Sequence, residues 1–141
     1  MQDRPTLREL LDAAEDWMRT DLRPQLTGAA QFHSLVVANV LAIVKRELDG
    51  YEAFNADEAR RLRELLGPGV EGGVRELNVE LCRRIRAGEM AIDREDLIDH
   101  LIRTTLAKGS IDNPRYAGHL RVLRQWPDKA PPEPAVFDTR R

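Results

Sequence analysis

The stretch from about Ala29 to Asp49 constrains the fold more than any other part of the chain. Phe32, Leu35, Val36, Val40 and Ile43 fall on one side of a helical projection, and Val37, Leu41, Val44 and Leu48 on another. Apolar surface therefore wraps most of the circumference, the pattern of a helix surrounded by others. Five of these positions are β-branched, which favours strand, but about twenty residues without two-residue alternation or a turn signal outweigh that preference. Gly50 marks the expected end of this helix.

Other segments carry the signals of shorter helices. Thr6-Leu7-Arg8-Glu9 is a capping-box pattern, and Leu7, Leu10, Leu11, Ala14, Trp17 and Met18 line one face until Pro24 stops the run. Asn55-Ala56-Asp57-Glu58 has the form of another capping box, followed by Ala59, Leu62, Leu65 and Leu66 before Gly67-Pro68-Gly69. A fourth helix is marked by Val74, Leu77, Leu81, Cys82 and Ile85, closed by Gly88 after three arginines. Asp93 is the expected cap of a fifth, with Leu97, Ile98, Leu101, Ile102 and Thr105 or Leu106 inward, ending near Lys108-Gly109. Asn113-Pro114 opens a sixth over about Arg115 to Gln125. The expected fold is all-α: a compact bundle of five to six helices around the central apolar helix at 29–49. One helical domain would cover residues 1–126. Residues 127–141, with four of the eight prolines, would form an extended tail, either mobile or laid along a neighbouring subunit.

Charge and cysteine content narrow the function classes. The chain of 141 residues has 22 Lys and Arg against 24 Asp and Glu, a net charge of −2, which argues against a dedicated nucleic-acid binder. Of the cations, 19 are arginines and three are lysines. The one cysteine, Cys82, leaves no disulfide framework and no cysteine-based zinc site; on the apolar stripe of its helix it is expected to be inert core. Met1 to Pro5 is polar, without the apolar run of a signal peptide, and no uninterrupted apolar run approaches membrane-spanning length. A cytoplasmic setting without membrane insertion follows as the expectation. Local charge is uneven: residues 47–71 hold seven acids and three bases, whereas 103–129 set Arg103, Lys108, Arg115, Arg121, Arg124 and Lys129 against Asp112 and Asp128. Such asymmetry fits a docking surface for a protein or an anion, and equally fits charges solvating opposite helix faces.

Candidate chemistry rests on polar residues placed among apolar ones. Asn39 lies between Val36 and Ile43 on the strongest apolar face, where a buried amide needs hydrogen-bond partners, so it reads first as a structural residue and second as a ligand contact. His33 points about 120° away on the same helix, which keeps the two from sharing one pocket. Asp96 and His100, four residues apart, come nearest to metal-ligand spacing, but no second Glu-x-x-His exists and an exposed pair is the plainer reading. No metal and no cofactor is expected. Phosphate-loop, nucleophile-elbow and dinucleotide-binding motifs are all missing from the sequence. Hydroxyls and charges concentrate around Thr104 to Tyr116, where Lys108, Asp112, Asn113, Arg115 and Tyr116 flank a helix junction and could hold a carboxylate or phosphate. The structural alternative is that these residues cap the last helix, pair with acids and pack.

Several segments together carry a resemblance: Met1-Gln2-Asp3-Arg4-Pro5, Phe32-His33 with Val37-Ala38-Asn39, Ala42 to Leu48, Glu76-Leu77-Asn78, Leu81 to Arg86, and Ile111 to Tyr116. Across nearly residues 1–120 the chain resembles a bacterial family of unknown function whose members are encoded beside acyl-CoA dehydrogenases and aminoglycoside-phosphotransferase-like kinases. The resemblance implies an accessory role in acyl-CoA or hydroxyacyl catabolism, with the kinase or the dehydrogenase as partner. It singles out His33, Asn39, Asn78, Arg83 and Asn113 to Tyr116 for test. The leading expectation is a non-catalytic accessory or interaction protein. The alternative gathers Asn39, Asn78, Arg83, Lys108 and Arg115 into an anion pocket for a CoA-like or phosphorylated compound, as a ligand-binding protein or an enzyme. A third possibility is a homo-oligomer clasped by its tail.

Overall fold

Capping at the amino terminus translates directly into the first helix. In the computed structural model, which describes residues 4–133, helix α1 spans Leu7–Asp16. The Thr6 hydroxyl accepts from the Glu9 amide at 3.2 Å, and the Glu9 carboxylate accepts from the Thr6 amide at 2.7 Å. The helix widens over Trp17–Leu22 and ends in a tight turn at Arg23–Gln25, where Pro24 sits. Four more helices follow: α2 (Gly28–Leu66), α3 (Val74–Arg86), α4 (Glu95–Asp112) and α5 (Ala117–Gln125). The chain is all-α, with α2 as its long central apolar helix. The described residues fall into two units, one up to Asp49 and one from Gly50 onward.

α2 is nearly twice as long as expected, because two local stop signals are overruled. Gly50 is an interior helical residue: a β-carbon there would meet the Phe54 ring at 2.6 Å, so the missing side chain makes room for an aromatic one turn on. The capping-box residues Asn55 to Glu58 also lie inside the helix. Asp57 is committed to side chains one turn ahead, pairing with Arg60 at 2.7 Å and with Arg61. Polar side chains near a helix start are only a local preference, and i,i+4 pairing holds them equally well in an interior. Two other boundaries move as well. α4 begins after Arg94, not Asp93, and continues through Gly109 to Asp112; Asn113 caps its end instead of opening α5, whose first residue follows Tyr116.

In the first unit, α1 and the first half of α2 are joined by a ladder of charged rungs. Arg8 pairs with Asp49, Lys45 with Asp12 and with Glu15 at 2.9 Å, and Arg19 donates to Asn39 at 3.1 Å. Rising numbers on one segment match falling numbers on the other, so the two run antiparallel. The hydrogen bond from Lys45 holds the Asp12 carboxyl below its usual range, and Asp12 in turn raises Lys45. Ser34, Ala38, Lys45 and Asp49 occupy a narrow sector of α2, about 60° wide at 100° per residue, and Ser34 and Ala38 are buried. Phe32, Val36, Val37, Val40, Val44 and Leu48 fill a sector about 160° wide on the opposite side, and all six are exposed, Phe32 to 64% and Val40 to 51%. By length and composition, α2 also meets the measure for a membrane-crossing helix, at a mean hydropathy of 1.3. Its faces, however, are strongly unlike one another: one bears ion pairs to α1, and the other is exposed and apolar apart from His33 and Glu47.

The buried core lies in the second unit. Ala59, Leu62, Leu65 and Leu66 of α2 meet Leu77 and Leu81 of α3, Met90 of the connecting loop and Leu97 of α4. Leu62, Leu77 and Leu97 are essentially without solvent contact. Phe32 to Leu48, expected as the packing centre, is thus the more exposed half of the helix. Asn39, expected on a buried face, is exposed, and Cys82 is exposed on α3 rather than inert in the core. After Trp126 the chain makes one tight turn at Pro127–Lys129, fixed to α4 by Lys129 on Asp99 and by Arg103 donating to the Asp128 carbonyl at 2.7 Å. The remainder of the expected tail, residues 134–141, lies outside the described residues.

Truncating the most central of these side chains tests where the core is. Leu62→Ala should lower unfolding free energy by about 2–5 kcal/mol in chemical denaturation. A loss under about 0.5 kcal/mol, the range of ordinary surface changes, would move the core elsewhere.

Candidate functional site

The apolar residues of α4 occupy more of its circumference than one core contact can use, and the surplus makes a groove. Leu97 and Leu106 turn into buried surroundings, whereas Ile98 and Leu101 remain exposed. Ile98, Leu101, Ile102, Thr105 and Leu106 form one wall of a groove of about 550 Å³, and Tyr116, His119, Arg121, Val122 and Trp126 form the other. α5 approaches α4 closely because Gly109 has no side chain: a β-carbon there would lie 2.7 Å from Nδ1 of His119. His119 is buried by that contact. At the neighbouring edge, the Tyr116 ring closes over Gly118, where a β-carbon would meet it at 3.1 Å from Cζ.

Among the described residues, Arg121 is the one charged residue lining the groove, and other cations lie close to it in sequence. Lys108, Arg115, Arg121 and Arg124 are exposed, and none has an ion pair among the described residues. Arg103 and Lys129, counted with them in the sequence, are tied to Asp99. An open apolar channel with unpaired guanidinium groups nearby suits an apolar segment or chain that carries negative charge at its side or end.

Of the nine residues selected from the sequence, two belong to the first unit and seven to the second, and among the seven Tyr116 lines the groove. His33 and Asn39 belong to the first unit: His33 is exposed, its ring 5.8 Å from that of Phe32, and Asn39 accepts from Arg19. In the second unit, Asn78 donates to Glu58 at 2.8 Å and to the Val74 carbonyl at 3.0 Å, a bond between helices. Arg83 forks onto Glu80 and Glu89, with bonds of 2.7 to 2.9 Å. Arg83 and Arg84 hold the Glu80 carboxyl at about 2. Asn78 and Arg83 therefore serve intramolecular carboxylates. Lys108, Asp112, Asn113 and Arg115 are exposed around the end of α4, and Tyr116 lines the groove. His119, Arg121 and Trp126 line it too and were not singled out in the sequence. The signal that points to them is Gly109: a glycine inside a strongly helical run marks close approach of another element.

A second, smaller cavity of about 150 Å³ is lined by Arg61, Glu64, Leu65, Asp96, Asp99 and His100. Asp96 and His100, expected as an exposed pair, are separated in role. Asp96 is exposed and paired with Arg94, while His100 is buried against α2. Arg61 is buried as well, reaching Asp57 and, at 3.2 Å, the Thr104 hydroxyl; its Nε and the Nδ1 of His100 have no hydrogen-bond partner among the described residues. No group of three or more His, Cys, Asp or Glu placed to hold a metal occurs among the described residues. Burial, reinforced by the Arg61 charge and opposed by Glu58 and Asp99, pushes His100 below its usual 6.5. Protonating it therefore favours the unfolded chain. Stability should be full above pH 6.5 and decline below it, by at most about 1.4 kcal/mol per pH unit. Denaturation of the wild-type chain and of His100→Gln between pH 7.5 and 5.5 checks this. The variant should show a shallower decline, and an unchanged one would remove His100 as its source.

Comparison with curated proteins finds no match, and comparison with solved structures finds none either. A family model does match, over residues 24–116, about two thirds of the chain and including α2, α3 and α4 entire. The chain belongs to the family described as a domain of unknown function, DUF6285.

Proposed function

We propose that this chain is a non-catalytic accessory protein that holds an apolar, acidic-flanked segment of a partner in the groove between α4 and α5. The observation that carries this reading is the groove itself: it is open, with one largely aliphatic wall and one bearing Tyr116, Trp126 and Arg121, a cation without an ion pair among the described residues. Groups that could have served catalysis are engaged in other ways. Asn78 and Arg83 hold carboxylates of their own unit, and the imidazole of His119 is packed against Gly109. An amphipathic helix laid in such a channel would bury its apolar face and bring its acids to Lys108, Arg115, Arg121 and Arg124. The sequence resemblance supplies the partners to try first, an aminoglycoside-phosphotransferase-like kinase and an acyl-CoA dehydrogenase. Acyl-CoA or hydroxyacyl catabolism is the setting in which that pairing would operate.

Arg121 supports a second reading. A guanidinium beside an apolar channel also suits a long acyl chain with an anionic head, and so a CoA-like ligand held without catalysis.

Native mass spectrometry of the chain with each of the two enzymes tests the first reading. A complex is expected, and Leu101→Arg, which puts a charge in the groove wall, should weaken it at least about tenfold. Lack of binding, with no change in either enzyme's activity, would refute it. Saturable quenching of Trp fluorescence by a long-chain acyl-CoA, abolished in Trp126→Phe and weakened in Arg121→Ala, would favour the ligand instead.

A further inference from the structure

We propose that two copies of this chain pair through the exposed face of α2, antiparallel, about a two-fold axis passing beside Val40. The face consists of Phe32, Val36, Val37, Val40, Val44 and Leu48, which extend over about 24 Å of helix and are all exposed. An apolar face of this extent, with His33 and Glu47 as its polar members, seldom stays bare in water unless something covers it.

The spacing of the row identifies the cover as another copy. A two-fold interface must be complementary to itself, because each residue meets its image across the axis. With the axis at Val40, position 36 faces 44, position 32 faces 48, and position 40 faces itself. Every one of these positions is apolar: Val36 against Val44, Phe32 against Leu48, Val40 against Val40. The same operation brings position 33 to position 47. These are His33 and Glu47, both exposed and both on the apolar side of the helix, so the pairing sets an imidazole beside a carboxylate at two symmetric places. A shift of one helical turn in register would instead place Glu47 against Val37 in one direction and against Ala29 in the other, leaving its charge facing an aliphatic side chain either way. The axis at Val40 satisfies the apolar row and the charges together.

The area also suits a pair. The six residues expose on the order of 500 Å² per copy, so the dimer could bury at most about 1,000 Å² from them, the lower limit for a specific interface. A reversible dimer that forms at about micromolar concentration or above is therefore expected. This face and the α4–α5 groove share no residue, so failure of either reading leaves the other standing.

Cysteine cross-linking tests the geometry in a Cys82→Ser background, which removes the exposed native thiol. Val40→Cys should oxidise to a disulfide-linked dimer with itself. Val36→Cys and Val44→Cys should each cross-link poorly alone and readily when mixed, since a disulfide requires α-carbons within about 7 Å. Light scattering should find a dimer for the unmodified chain at 100-fold its micromolar threshold and a monomer for Val40→Glu, with unchanged helical circular dichroism because Val40 is exposed. A chain monomeric throughout, self-linking of Val36→Cys equal to that of Val40→Cys, or flotation with vesicles as a monomer would overturn the proposal.

Discussion

The structure depends on how the apolar surface of α2 is divided. One helix of 39 residues has more apolar surface than four short helices can cover, so burial is concentrated where partners exist. From Ala59 to Leu66, α3, the loop bearing Met90 and the start of α4 supply them, and Leu62, Leu77 and Leu97 close off from water. Along residues 32–49, α1 engages the opposite side through Lys45 and Asp49, leaving the valine row bare. Hydrophobic burial is non-directional, and specificity in the first unit comes instead from charged rungs that fix which side of α2 faces α1.

The same logic recurs on a smaller scale in α4. Its apolar residues form two rows, and only one contributes to the core. The other row, with Ile98, Leu101 and Ile102, meets α5 across a channel that neither helix fills. Gly109 sets the depth of that channel by admitting His119, and the turn at Pro127–Lys129 anchors its far end to Asp99 and Arg103. Two surfaces, a groove and a helix face, are thus by-products of one imbalance between apolar side chains and the area available to bury them.

Much of this was legible in the sequence, and the exceptions share a cause. Apolar periodicity and the Thr6–Glu9 cap locate α1, and the glycines at 67 and 88 end α2 and α3 with positive φ, as their positions suggest. Signals that failed were local ones outweighed by neighbours: Gly50 yields to Phe54, Asp57 to Arg60 and Arg61, and Asn113 caps the preceding helix rather than the next. The breadth of apolar surface on residues 29–49 suggests burial, but a sequence pattern states only that a face is apolar, not that something in the same chain covers it. Site residues were harder still. Asn78 and Arg83 stand out by residue type, yet only the structure shows that Glu58, Glu80 and Glu89 are their partners, whereas His119 and Arg121 gain meaning only from the helix packed opposite.

The folding core sits on the second half of α2 and leaves much of its first half exposed. Residue-resolved amide hydrogen exchange tests it directly, since the slowest amides report the last structure to open. The account predicts slowest exchange at residues 59–66, 77–81 and around Leu97, with earlier opening at 29–48. Slowest exchange centred on Phe32 to Leu48 would contradict it.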